Sequence, residues 1–344
     1  MNRREFLKRT SATLACLALP PVSVPIPEPD EPDKPDERVI LQAPPSSFGR
    51  IATWWRQSVH SEPSQETEIV AWRTRDQVIP LYAAVTGKAP WPRNPIWYQT
   101  DEGFIHSGYV QPVENTPNSS VGIGKKPGFW VRVCVPIAEA RSQLNAARVS
   151  YKLYYGTIYR AIDTVADEAT RWWYRLQDGV TYAPGPYVPA WSMCRITTEE
   201  MAPISPGHSD KWIQIDLEAQ MLTCFEGETA VFSTPVSSGA AGTRTPRGEH
   251  HIIRKRHTRR MTGGSGDGYY DLPGIAFPIY FTQAGHAIHG TYWHNDFVRP
   301  HSHGCVNVTS EDAQWVFRWT EPVVPYDDYE KESKPEEGTR VVVV

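Results

Sequence analysis

Two residues in the C-terminal third of the chain have the types and spacing to do chemistry together. Cys305 sits inside Ser302-His303-Gly304-Cys305-Val306-Asn307, and a His289-Gly290 pair lies 16 positions upstream. A thiol is a useful nucleophile at neutral pH only when something removes its proton, because the thiolate attacks and a free Cys titrates near ~8.5. Cys305 is the candidate nucleophile and His289 the candidate base. The same stretch crowds His286, His289, His294, His301, His303 and Cys305 together, enough N and S donors for a tetrahedral zinc site. It lacks a helical His-Glu-x-x-His frame and a clear second ligand pair, so the nucleophile reading is taken and no metal is assigned.

The pattern of His-Gly, some fifteen residues, then Ser-His-Gly-Cys, an aliphatic residue and Asn resembles the bacterial L,D-transpeptidase family. Thr234-Pro235-Val236-Ser237-Ser238-Gly239 and Thr245-Pro246-Arg247-Gly248-Glu249-His250 resemble further pieces of it, and Gly338 to Val344 fits its closing strand. The domain is therefore placed at 209–344. The resemblance implies that Cys305 attacks a peptide carbonyl to give a thioester, while His289 takes the thiol proton and later gives one to the leaving amine. It assigns the oxyanion to the backbone N–H groups of Gly304 and Cys305, with His303 a third candidate, and the orientation of His289 to the Gly290 carbonyl. Ser302 and His303 would shape the loop; Asn307, Tyr280, Arg259 and Arg260 are candidates for substrate binding. An imidazolium and local dipoles are expected to lower the thiol pKa by about two units, a gain of about 2.7 kcal/mol.

The substrate implied is a peptidoglycan tetrapeptide stem, acylated at the L-centre of its third residue with loss of the terminal D-Ala. A neighbouring stem amine would resolve the thioester to a 3→3 cross-link, and water would make the enzyme an L,D-carboxypeptidase. A non-enzymatic alternative is a peptidoglycan-binding protein with a vestigial catalytic domain. No metal or organic cofactor is implied.

The elements that must position these residues read as strands. Thirteen Trp, 16 Tyr, 31 Pro and 24 Gly favour short strands and many turns. The fold class expected is mainly β, two small β-barrels followed by a β-rich catalytic domain with few short helices. Lys211 to Leu217 alternates with Ile213, Ile215 and Leu217 on one face, and a turn at Glu226-Gly227-Glu228 makes a hairpin. Ile275 to Phe281 and Gly285 to His289 read as strands, the second ending on the base. Arg254 to Gly274, basic and Gly-rich, reads as a mobile flap over the site. Thr309-Ser310-Glu311-Asp312 reads as a capping box opening a helix whose apolar face holds Trp315, Val316 and Trp319.

Upstream, a repeated hairpin (Ile96 to Val113 and Trp172 to Ala190) points to a repeated unit, read as small β-barrels at 48–114 and 148–198 that resemble bacterial Src-homology-type barrels. Their Trp54, Trp55, Trp91, Trp97 and Trp191 would either bind peptidoglycan or fill cores while the barrels brace the catalytic domain.

A net charge of −4 excludes a nucleic-acid field and a polybasic membrane patch. Asn2-Arg3-Arg4-Glu5-Phe6-Leu7-Lys8 and the short apolar run behind it read as a twin-arginine-type signal over 1–19. Residues 20–38, with seven Pro and six acidic residues from Pro20 to Glu37, read as an extended linker. The protein is expected in the cell envelope, meeting membrane only through the signal or a lipid anchor at Cys16. Cys134, Cys194 and Cys224 read as buried thiols, with a Cys134–Cys194 bridge left open.

Overall fold

The structure is a computed structural model. It describes residues 46–344 apart from 92, 120–127, 178, 180–182, 265 and 267–268, so the signal at 1–19, the linker at 20–38 and Cys16 lie outside the described residues. Val39–Val344 form one compact unit, and the described part of it is mainly β with a single α-helix.

The alternation in Lys211–Asp216 is realised as predicted. Ile213 and Ile215 point inward opposite Cys224 and Leu222, and Trp212 stacks on Phe225 outside at 4.3 Å. This hairpin is the middle of a five-stranded sheet in the order 229–235, 221–226, 211–216, 340–343, 248–251. The C-terminal Arg340–Val343 runs parallel to Lys211–Asp216, with Ile213 opposite Val341 and Ile215 opposite Val343. A second five-stranded sheet orders 306–308, 287–290, 279–280, 254–256 and 330–332. The two sheets and the helix share one core, in which Ile213, Leu222 and Val343 meet Ile288, Val306 and Phe317.

The helix is Ser310–Trp319, buried through Ala313, Val316, Phe317 and Trp319. Thr309 Oγ1 accepts from the Asp312 N–H at 3.1 Å, but the reciprocal half of the expected box is absent, since the Asp312 carboxylate accepts from Thr234 Oγ1 at 2.7 Å. At the other end, Lys255 Nζ donates to Phe317 O and Thr320 O, both at 2.6 Å, and Lys211 Nζ to Trp319 O at 2.9 Å. Two ammonium groups thus satisfy carbonyls that a helix terminus leaves open.

Three expectations are corrected. The upstream units are not closed barrels: the first is a three-stranded sheet (78–80, 48–51, 110–113) and a five-stranded one (69–73, 57–60, 104–106, 96–99, 83–86). The second is a five-stranded sheet ordered 184–189, 172–177, 158–166, 129–133, 193–195 beside the hairpin 137–140/151–154; it recruits Phe129–Val133, upstream of the expected start at 148. Short strands with alternating large residues specify sheets, but closure depends on long-range pairing that a hairpin motif does not encode. Cys134 and Cys194 are not thiols; they form a disulfide with 5.7 Å between Cα atoms, bridging neighbouring strands, while Cys224 is a buried thiol as expected. The stretch expected as a flap is largely strand, with Thr258–Gly263 paired to Tyr270–Ala276.

The second unit is fused to the C-terminal core. Trp130, Ile158, Ile196 and Met201 pack in the same apolar cluster as Ile213 and Phe277, and Trp130 Nε1 donates to Tyr326 O at 2.6 Å. Truncating a fully buried Trp costs ~3–5 kcal/mol. Trp130→Ala is therefore expected to lower the urea midpoint of the whole compact unit by that amount of stability; a midpoint shift worth less than about 1 kcal/mol would show that the two parts do not share a core.

Candidate active site

Ala287–Gly290 and Val306–Val308 are parallel neighbours, with His289 opposite Asn307. Cys305 immediately precedes the second strand, so the two candidate residues come together at one cleft of about 890 Å³ whose lining includes Tyr270, Trp293, Ser302 and His303. Gly290 is required by proximity, because a Cβ there would stand 2.9 Å from Ser310 Cα at the helix start. Gly304 has φ +115°, and its Cβ would fall 2.6 Å from His286 Cδ2. The loop is locked from within: Ser302 Oγ accepts from the Gly304 N–H at 3.0 Å and donates to the Cys305 carbonyl. The Gly304 N–H, expected as an oxyanion donor, is thereby occupied.

His289 Nδ1–H donates to Gly290 O at 3.1 Å, which leaves Nε2 as the basic nitrogen. Burial pushes the imidazole pKa down to about 4, against the raising effect of that bond. Burial also pushes the half-buried Cys305 thiol up, partly offset by the Ala287 N–H, and Sγ makes a long contact of 3.9 Å to Gly285 O. The expected imidazolium and lowered thiol pKa are thus corrected: desolvation outweighs the dipoles, and the resting pair is neutral thiol and neutral imidazole.

The segment between these residues is fastened on two sides. On one side Ala240 N–H donates to Ser302 O at 2.8 Å, and Thr243 Oγ1 and Thr245 Oγ1 donate to Ser302 O and Gly304 O, both at 3.0 Å. On the other side the first upstream unit holds it. Arg50 Nη2 donates to Tyr292 O, Asn295 N–H to Gly108 O at 2.9 Å, and the buried Asp296 carboxylate accepts from Trp91 Nε1 at 3.1 Å and Asn94 Nδ2 at 3.0 Å. The same carboxylate takes His301 Nε2 at 2.6 Å. Burial alone would raise the Asp296 pKa, but the bonds from His301, Asn94 and Trp91 hold it below the usual range.

The other candidates divide. Asn307 is buried, lines the cleft, and its side-chain amide meets His294 Nε2 at 3.0 Å. His303 is exposed and stacks on Tyr270 at 5.5 Å. Arg260 lines the cleft, but its guanidinium is paired with Asp271. Arg259 is turned to Gly179 O at 3.2 Å, and Tyr280 is buried beneath the Arg254 guanidinium at 4.5 Å; neither lines the cleft. The crowded histidines are divided among separate partners, and among the described residues no group of three or more His, Cys, Asp or Glu is placed to hold a metal ion. Roles for Asp296, Asn94 and Thr243 in the site were not anticipated, and the sequence marks Trp91 and Gly285 only as an upstream tryptophan and as the start of a strand; Thr245 lies in a segment whose motif drew attention.

Residues 210–343 match the YkuD family, the L,D-transpeptidase catalytic domain. The chain carries an L,D-transpeptidase catalytic domain. Among solved structures, an Enterococcus faecium L,D-transpeptidase variant is 22% identical over 40% of this chain and 50% of that one, with a TM-score of 0.31. The isolated catalytic domain from E. faecium is 23% identical over 40% and 100%, also at 0.31. An L,D-transpeptidase from Mycobacterium smegmatis is 17% identical over 60% and 99%, at 0.32. The chain spans about half the length of the first E. faecium protein. No curated protein matches it.

Within or against this L,D-transpeptidase domain three histidines are buried neutral, His257 and His294 with pKa values pushed to about 3 and His289 to about 4, burial being the first cause in each. In the unfolded chain each takes up a proton near 6.5. The unfolded state therefore binds more protons below that pH, and stability must fall as pH falls. The urea midpoint is expected to drop between pH 6.5 and pH 5, above the range where carboxylates titrate; a flat profile there would contradict the burial of neutral imidazoles.

Proposed function

We propose that the protein is a cysteine-dependent peptidoglycan L,D-transpeptidase that forms 3→3 cross-links through a thioester on Cys305. The observation that carries the reading is that Cys305 and His289 meet at one cleft from adjacent parallel strands, with the base fixed by Gly290 O.

Because the resting pair is neutral, the thiol proton moves to His289 Nε2 as Sγ attacks the carbonyl carbon of the third stem residue. The C–S bond forms and the carbonyl electrons go to an oxyanion. Backbone donors must meet that charge. With the Gly304 N–H given to Ser302, the Cys305 N–H takes the first share, and the Gly304 N–H joins if Ser302 Oγ turns away. Collapse breaks the C–N bond, and His289 returns its proton to the departing D-Ala amine. An amine of a second stem then attacks the thioester, giving its proton to Nε2, and the sulfur leaves and recovers it. Exclusion of water from the cleft decides between cross-linking and hydrolysis.

Work in the cell envelope after twin-arginine export is part of the same proposal. The Cys134–Cys194 disulfide supports the envelope location, since structural disulfides persist in oxidising compartments, while the export route rests on the Arg3-Arg4 signal alone and the disulfide-free product first expected of that route is set aside.

The test is incubation of residues 38–344 with disaccharide-tetrapeptide and mass analysis of the products. A 3→3 dimer with loss of D-Ala is expected, and Cys305→Ala should abolish it. Tripeptide without dimer would identify an L,D-carboxypeptidase, and no Cys305-dependent product would leave the peptidoglycan-binding alternative.

A further inference from the structure

The cleft does not end at the catalytic residues. It runs from Cys305 and His289 to Trp54 and Trp55 of the first upstream unit, with Arg75 and Lys152 at that end. Those two indoles are 69% and 79% exposed, whereas Trp97 and Trp130 are fully buried in their cores. The division separates the five tryptophans singled out in the sequence: Trp97 is core, Trp91 is bonded to Asp296, Trp191 is exposed away from the cleft, and Trp54 and Trp55 are presented at the mouth of the site. Two adjacent, exposed indoles on a cleft wall are an apolar surface that folding leaves uncovered, the kind of surface that marks a binding site.

The platform is organised before any ligand arrives. The Arg75 guanidinium lies over the Trp54 ring at 3.4 Å, and the Trp55 N–H donates to Thr53 Oγ1 at 3.1 Å. Around it stand cationic donors gathered on one carboxylate. Lys152 donates to Asp76 at 2.8 Å, leaving two of its three protons for other acceptors, and Asp76 is shared with Arg50 and Arg75. The end of the cleft therefore combines flat apolar faces with hydrogen-bond donors. A pyranose ring has the matching character, with C–H groups on one face and hydroxyl and acetamido oxygens at its edge.

We propose that Trp54 and Trp55, with Arg75 and Lys152, form a glycan subsite that takes N-acetylated sugar rings of the strand carrying the donor stem, while the stem itself reaches along the cleft to Cys305. The inference rests on the acyl-transfer reading for the identity of the stem but not for the binding of sugar. It gives the first upstream unit a direct part in choosing substrate.

The test uses the purified chain, its Trp54→Ala/Trp55→Ala double variant, and two measurements. Calorimetry with the β-1,4-linked tetramer of N-acetylglucosamine should show binding by the wild type and a loss of about tenfold or more in the variant, a difference of about 1.4 kcal/mol. The KM for disaccharide-tetrapeptide should rise by about the same factor, with kcat and the turnover of sugar-free tetrapeptide unchanged. No binding of the tetramer by the wild type, equal binding by the variant, or equal losses on both substrates would overturn the subsite. Sugar binding that depends on the two tryptophans, with no product from either substrate, would sustain the subsite and refute acyl transfer; product formed with no sugar discrimination would do the reverse.

Discussion

Parallel neighbouring strands cannot be joined by a tight turn, and the site depends on how this chain meets that constraint. His289 and Cys305 are brought together because Ala287–Gly290 and Val306–Val308 pair in parallel. The segment between must therefore leave the sheet and return, and here it does so without a helix. An irregular segment packed inside a protein has backbone groups that need partners. Those partners come from Ala240, Thr243 and Thr245 on one side and from Arg50 and Gly108 on the other, where Trp91 and Asn94 also hold the Asp296 carboxylate. The first upstream unit is thus part of what holds the catalytic loop.

The same enclosure sets the electrostatics. Burial removes water from both titrating groups and disfavours the charged form of each, so thiol and imidazole rest neutral. In the mechanism we propose, activation is deferred to the moment of attack, when charge can be shared between imidazolium and oxyanion. A buried charge retained nearby is Asp296, held below the usual carboxylate range by His301, Asn94 and Trp91. A buried carboxylate is tolerated when its lone pairs are filled, and losing partners would leave it costly.

The sequence disclosed which residues the candidate site brings together better than it disclosed the architecture. Cys305, His289 and the Gly290 carbonyl were readable because their spacing is a local signature, and Ile213 and Ile215 because alternation reports a buried face. The disulfide, the open sheets and the brace on Asp296 were not, because each pairs residues far apart: Cys134 with Cys194, Asn94 with Asp296. The resting ionisation was misjudged for a related reason, since a His and a Cys near each other suggest an ion pair, while the depth of burial that reverses it is a property of the assembled fold. Arg259 and Arg260 looked available as cations in a loop, but pairing within the hairpin 258–263/270–276 and against Gly179 engages them.

The claim at the centre of this account is that the crossover between His289 and Cys305 is held in shape by its carboxylate clasp to the upstream unit. Site-resolved hydrogen exchange on Asp296→Asn, which keeps the size of the side chain and removes its charge, tests it most directly. Faster exchange of the amides from Tyr292 to Gly304, with the protection of Lys211–Asp216 and Met221–Glu226 unchanged, is the predicted result. Unchanged protection across the crossover would mean that the clasp is incidental and the loop is held by Thr243 and Thr245 together with the Arg50 and Gly108 bonds.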